Sequence, residues 1–114
     1  MPVRNPEWEV SVSDVKRMLD EKAPFVLIDV REPDEHRLCR IDGAQLIPLG
    51  ELAARADEIR RIAAGRLIIT HCHHGGRSLS AAAALREAGV AGVKSMAGGI
   101  DEWSCVVDPR VPRY

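Results

Sequence analysis

The spacing of apolar positions changes repeatedly along the chain, and each change marks an element. Ser11 followed by Asp14 is a capping-box-like helix start, and Val12, Val15, Met18 and Leu19 then share one helical face. Phe25-Val26-Leu27-Ile28 is a continuous apolar run, the pattern of a strand buried on both faces. It ends in Asp29-Val30-Arg31-Glu32-Pro33, where the proline turns the chain into a loop or short helix. Gln45-Leu46-Ile47 reads as a short strand stopped by Pro48. Leu52, Ala56, Ile59 and Ala63 form the stripe of a helix that Gly65 closes. Leu67-Ile68-Ile69-Thr70 is the clearest strand. After it, Ala81, Ala84, Leu85 and Ala88 mark a helix face small enough to lie close to a sheet, with Gly89 at its end. Val93-Lys94-Ser95-Met96 is the last strand, and Gly98-Gly99 turns into a short helix ending near Trp103. Residues 107–114 hold two prolines and are expected to lie extended.

This alternation predicts an α/β domain: a mainly parallel sheet with helices on both faces. In such sheets ligands bind beyond the carboxyl ends of the strands, and Cys72 stands just past the best strand. A length of 114 residues suits one domain, placed at 8–112 with 1–7 and 113–114 as terminal extensions. The net charge of −1 offers no basic field for nucleic acid or anionic lipid. No apolar run reaches the length of a membrane span, and Met1-Pro2-Val3-Arg4-Asn5-Pro6 lacks the apolar core of a signal peptide. Cys39, Cys72 and Cys105 are odd in number and widely spaced, which argues against a disulfide framework and for a reducing cytoplasm.

The candidate chemistry lies in Cys72-His73-His74-Gly75-Gly76-Arg77, between a strand and a helix N-terminus. Gly75 and Gly76 permit a tight loop with positive φ and exposed N–H groups. The helix dipole adds positive potential and Arg77 a full charge. A thiolate is stabilised at such a centre, which makes Cys72 the expected nucleophile. His73 and His74 are either cationic helpers or plain loop residues.

The segment fits the C-x-x-G-x-R loop of rhodanese-like domains, and the resemblance covers most of the chain. Asp29-Val30-Arg31-Glu32-Pro33 resembles the family's D-V-R-E segment, Gly43-Ala44 through Ile47-Pro48 its G-A-x-x-I-P segment, and Gly98-Gly99-Ile100-Asp101-Glu102-Trp103 its G-G-x-x-x-W segment. The resemblance implies a five-stranded, mainly parallel sheet flanked by helices. It also implies thiosulfate sulfurtransferase chemistry: Cys72 takes a sulfane sulfur from a donor such as thiosulfate and passes it to a thiophilic acceptor. The substrate-binding loop would be His73, His74, Gly75, Gly76 and Arg77, with Asp29 and Arg31 in support, most simply as a structural ion pair. Where the family often has G-H-I-P-G-A, this chain has Cys39-Arg40-Ile41-Asp42-Gly43-Ala44, so that wall of the site differs. The ending from Trp103 to Tyr114 is similar to that of rhodanese domains attached to cofactor-sulfuration proteins, which points toward relay to a protein acceptor.

Three rivals remain. Phosphatases and arsenate reductases of this fold use a C-x5-R loop, whereas four residues separate Cys72 from Arg77 here, a ring sized for one sulfur rather than a phosphate. Zinc on His71, Cys72, His73 and His74, with His36 and Cys39, is disfavoured because neighbouring loop residues rarely converge on one tetrahedron. A non-catalytic interaction module is disfavoured by the presence of Cys72. No metal and no cofactor is expected, and the partners expected are a small sulfur donor and a thiophilic acceptor.

Overall fold

The computed structural model describes Val3 and residues 5–114. Met1, Pro2 and Arg4, part of the segment read as an extension without an export signal, lie outside the described residues. Five strands alternate with helices: β1 (Glu9–Val10), α1 (Val12–Asp20), β2 (Phe25–Asp29), α2 (Pro33–Leu38), β3 (Gln45–Leu46), a 3-10 turn (Leu49–Glu51), α3 (Ala56–Ala63), β4 (Leu67–His71), α4 (Gly76–Glu87), β5 (Lys94–Met96) and α5 (Gly99–Val106). The strand order is β1-β5-β4-β2-β3, and all pairings are parallel.

Alternation along the strands sends side chains to two cores. Val26, Ile28 and Ile68 meet Ile59 and Ala63 of α3 and Ala81, Ala82 and Leu85 of α4 on one face. Leu27, Ile69 and Met96 meet Val12 and Val15 of α1 and Ile100 and Trp103 of α5 on the other. Burying each such Val, Leu or Ile is worth about 1.5–3 kcal/mol relative to exposure, which is why β2 and β4 read as unbroken apolar runs. The expected α/β architecture with helices on both faces is present.

Local signals hold with specific exceptions. Ser11 caps α1, accepting from the Asp14 N–H at 3.0 Å, but the Asp14 carboxylate turns to Arg17 at 2.9 Å instead of completing a capping box. The proline at 33 opens α2, where Glu32 and Glu35 form a capping box. The buried face of α4 is Ser78, Ala81, Ala82 and Leu85, and Ala84 and Ala88 are exposed. A run of alanines fits several helical registers equally, and packing chose this one. Strand β1 is two residues long, too short for any periodicity, and exists because it pairs with β5. Helix α5 continues past Trp103 to Val106. The tail is not extended: the Val111 N–H donates to the Asp108 carbonyl at 3.1 Å, making a turn. Among the described residues no helix is long and apolar enough to cross a membrane.

The chain steps outward from β2 to β3, returns to β4 on the other side of β2, and steps outward again to β5. The crevice of this fold therefore opens between the carboxyl ends of β2 and β4. Asp29 ends one strand, with Arg31 just beyond it, and Cys72 follows the other.

Candidate active site

Cys72 follows β4 directly and is 1% exposed, inside the core cluster beneath α4. Cys72 is expected from the sequence to be a loop residue, whereas its side chain occupies a core position. Its sulfur accepts the Gly75 N–H at 3.1 Å and the Ser78 N–H at 3.3 Å, and the thiol lies 3.4 Å from the Ser78 hydroxyl. Gly75 is the N-cap residue of α4 and Ser78 lies in its first turn, where the N–H groups have no helical acceptor. Negative charge on this sulfur is thus met by oriented backbone dipoles.

The turn that makes this possible is tightly held. Gly75 has φ +114°, and a Cβ there would sit 3.2 Å from the Gly98 nitrogen. Gly76 begins the helix and has ordinary φ, so only one of the two loop glycines is conformationally required. Gly99 has φ +63°, and a Cβ would fall 2.4 Å from the His73 carbonyl oxygen and 2.6 Å from that of Cys72. This close approach lets the Ile100 N–H reach the Cys72 carbonyl at 2.9 Å and the Asp101 N–H the His73 carbonyl at 3.1 Å. The G-G-x-x-x-W segment therefore fastens the back of the loop. Ser78 fastens its front: its hydroxyl lies 2.7 Å from that of Ser95, and Thr70 donates to its carbonyl at 2.8 Å.

Arg77 does not stand free beside the sulfur. Its two terminal nitrogens fork onto Glu35 at 2.7 and 2.9 Å. That pairing, against burial and with help from the Glu32 backbone and Tyr114, holds the Glu35 carboxyl at about 2. The Tyr114 hydroxyl donates to the same carboxylate at 2.7 Å and accepts from Arg31 at 3.0 Å. Burial, offset in part by Arg31, raises that phenol to about 12. The Tyr114 ring stacks on His73 at 3.9 Å and 6°. Glu35 and Tyr114 are site residues that sequence reasoning missed. Glu35 lies within the turn after β2, but nothing in its spacing says which cation it meets, and Tyr114 belongs to the two residues set outside the domain.

Asp29 and Arg31 are fully buried and pair at 2.7 Å. Arg31 also donates to the Cys39 carbonyl at 2.6 Å, and His36 lies 2.9 Å from Asp29. Burial alone would raise the Asp29 carboxyl, but hydrogen bonds from Arg31, with His71 and His36 nearby, hold it below its usual range. His71 is fully buried, and burial lowers it to about 4, so it is neutral at pH 7. His36 and Cys39 face Asp29 and Arg31, apart from the loop histidines. His73 and His74 lie side by side with ring centres 3.8 Å apart, and Asp101 lies close enough to share a metal ion with them.

The geometry has counterparts among known proteins. Residues 11–105 match the rhodanese-like domain model. A probable adenylyltransferase/sulfurtransferase MoeZ of Mycobacterium tuberculosis is 32% identical over 92% of this chain. The chain spans 26% of that relative's own length. A rhodanese-related protein of Thermoplasma volcanium is 25% identical, with TM-score 0.77 over 94% of this chain and 99% of that one. The human single-domain sulfurtransferase TSTD1 is 25% identical, with TM-score 0.73 over 90% of this chain and 98% of that one. Strand order, loop and matched residues agree, and the chain belongs to the rhodanese-like domain family.

Proposed function

We propose that this domain transfers sulfane sulfur through a persulfide on Cys72. The observation that carries the reading is the buried Cys72 sulfur facing the Gly75 and Ser78 amides. With thiosulfate as donor, the Cys72 thiolate attacks the outer sulfur, the sulfur–sulfur bond of thiosulfate breaks, and sulfite leaves with the electron pair. The persulfide anion keeps the negative charge within reach of the amides. An acceptor nucleophile then bonds to the terminal sulfur and returns the thiolate, an order of steps typical of covalent catalysis.

The tethering of Arg77 by Glu35 gives that arginine a positioning role in the loop, with the amides as the main anion stabilisers. Asp29 and Arg31 brace the wall of the crevice. A protein acceptor is the partner proposed, since the MoeZ relative is named a sulfurtransferase and is about four times longer than the match. The cytoplasm is the compartment proposed, because Cys39, Cys72 and Cys105 are all free.

Incubation with thiosulfate should add one sulfur to the intact protein, removable by cyanide, and peptide mapping should place it on Cys72. Cys72→Ser should abolish turnover and shift the thermal midpoint by only a few degrees, since the serine hydroxyl keeps the two amide donors occupied. Sulfur found only on Cys39 or Cys105, or phosphate-ester hydrolysis dependent on Cys72, would overturn the proposal.

A further inference from the structure

The two histidines after Cys72 have no part in binding its sulfur, yet a third residue from a distant segment joins them. One ring nitrogen each from His73 and His74 and a carboxylate oxygen of Asp101 lie within 4.8 Å of one another. His74 Nδ1 is 3.9 Å from the Asp101 Oδ2 atom. Asp101 is not among the metal ligands that the sequence offers, which are His71, Cys72, His73 and His74 with His36 and Cys39. Helix α5 supplies the missing ligand from another direction, because the Gly98-Gly99 turn brings its first residues against the loop.

We propose that His73, His74 and Asp101 form a site for a borderline divalent transition-metal ion, of the zinc or cobalt class, at the mouth of the sulfur-transfer loop. Two imidazoles and one carboxylate are the donor types that zinc takes in sites with an open fourth position. The backbone is preorganised for it, since the Asp101 N–H is bonded to the His73 carbonyl at 3.1 Å. His73 Nε2 is shielded from solvent and has no hydrogen-bond partner among the described residues. Stacking of Tyr114 on the His73 ring, at 3.9 Å and 6°, fixes the plane of that ring.

Tetrahedral ligation at about 2.1 Å requires donor atoms roughly 3.4 Å apart. The present spread of up to 4.8 Å therefore closes by up to about 1.4 Å on binding, a movement open to the exposed His74 side chain. The competitor is Arg113, which binds both Asp101 oxygens at 2.9 and 3.2 Å. Arg113 is well exposed, and an exposed ion pair is a weak rival to a divalent cation.

The site is read with Co2+ by visible absorption on the full chain, a measurement independent of sulfur transfer. The expected result is one saturable Co2+ with d–d bands and no thiolate-to-cobalt charge-transfer band, displaced by Zn2+. His74→Ala and Asp101→Asn should each weaken binding tenfold or more, and Cys72→Ser should leave it unchanged. Arg113→Ala frees Asp101 and should tighten binding, a gain that misfolding cannot produce. No saturable binding overturns the proposal. So does affinity unaffected by His74→Ala or Asp101→Asn, or a spectrum dominated by a thiolate band that disappears in Cys72→Ser.

Discussion

Glu35 sets the charge balance around the sulfur. Its carboxylate absorbs the Arg77 guanidinium and the Tyr114 hydroxyl together. Its folded value, about 2, lies below the ordinary 4.5. A depressed acid stabilises the fold fully above its unfolded value, and that contribution disappears as pH falls through the folded one. The Arg77–Glu35 contribution should therefore be complete above about 4.5 and fade toward 2. Glu35→Gln should flatten the pH dependence of stability in that window, measured by urea unfolding at several pH values. The same variant frees the Arg77 fork and should slow sulfur transfer several-fold at neutral pH. An unchanged acid limb would assign the fall in stability there to other carboxylates such as Asp29.

At the scale of elements, the site is the junction of two turns, and glycine geometry governs both. Gly99→Ala pushes a methyl group into the backbone carbonyls of His73 and Cys72 at a positive φ. Neither carbonyl can swing away without breaking its bond to α5, so the cost should exceed about 2 kcal/mol, read as a lowered denaturation midpoint with loss of sulfur transfer. The second test concerns loop size. The amides of Gly75 and Ser78 converge on one sulfur atom, and six residues from Cys72 to Arg77 close that ring. Inserting one glycine between Gly75 and Gly76 should widen it, weaken sulfur transfer at least tenfold and give phosphate or arsenate room to bind. Paired assays of thiosulfate–cyanide turnover and phosphate-ester hydrolysis on both proteins decide this. Sulfur transfer unaffected by the insertion would remove loop size as the determinant.

At the scale of the whole molecule, Arg31 joins parts of the chain that are far apart in sequence. It bonds Asp29 at the end of β2, the Cys39 carbonyl beyond α2 and the Tyr114 hydroxyl in the tail. Its side chain has no exposed surface. Arg31→Leu would strand the Asp29 carboxylate in the interior, and breaking one partner of a buried pair costs about 3–5 kcal/mol. Asp29→Asn combined with Arg31→Leu should recover a large part of that loss, because the uncompensated charge is gone. Equilibrium unfolding of the single and double variants checks this, and equal losses in both would show that Arg31 acts through packing rather than charge.

The sequence by itself determined the α/β alternation and the strand cores, and it singled out Cys72 as the candidate nucleophile. Each rests on a local cause: short, β-branched apolar runs bounded by turn residues suit strands covered on both faces, and a glycine-rich turn before a helix presents unpaired amides. The register of α4 was not legible, because successive alanines carry no preference and packing against β4 and β5 selected Ser78, Ala81, Ala82 and Leu85. Nor was the capture of Arg77 by Glu35, 42 residues away, or the arrival of Tyr114 over His73. Nor was the meeting of Asp101 with the loop histidines. Those pairings depend on the order in which parallel strands assemble and on the close approach allowed at Gly99. They are tertiary distances, and no local rule of composition or period encodes them.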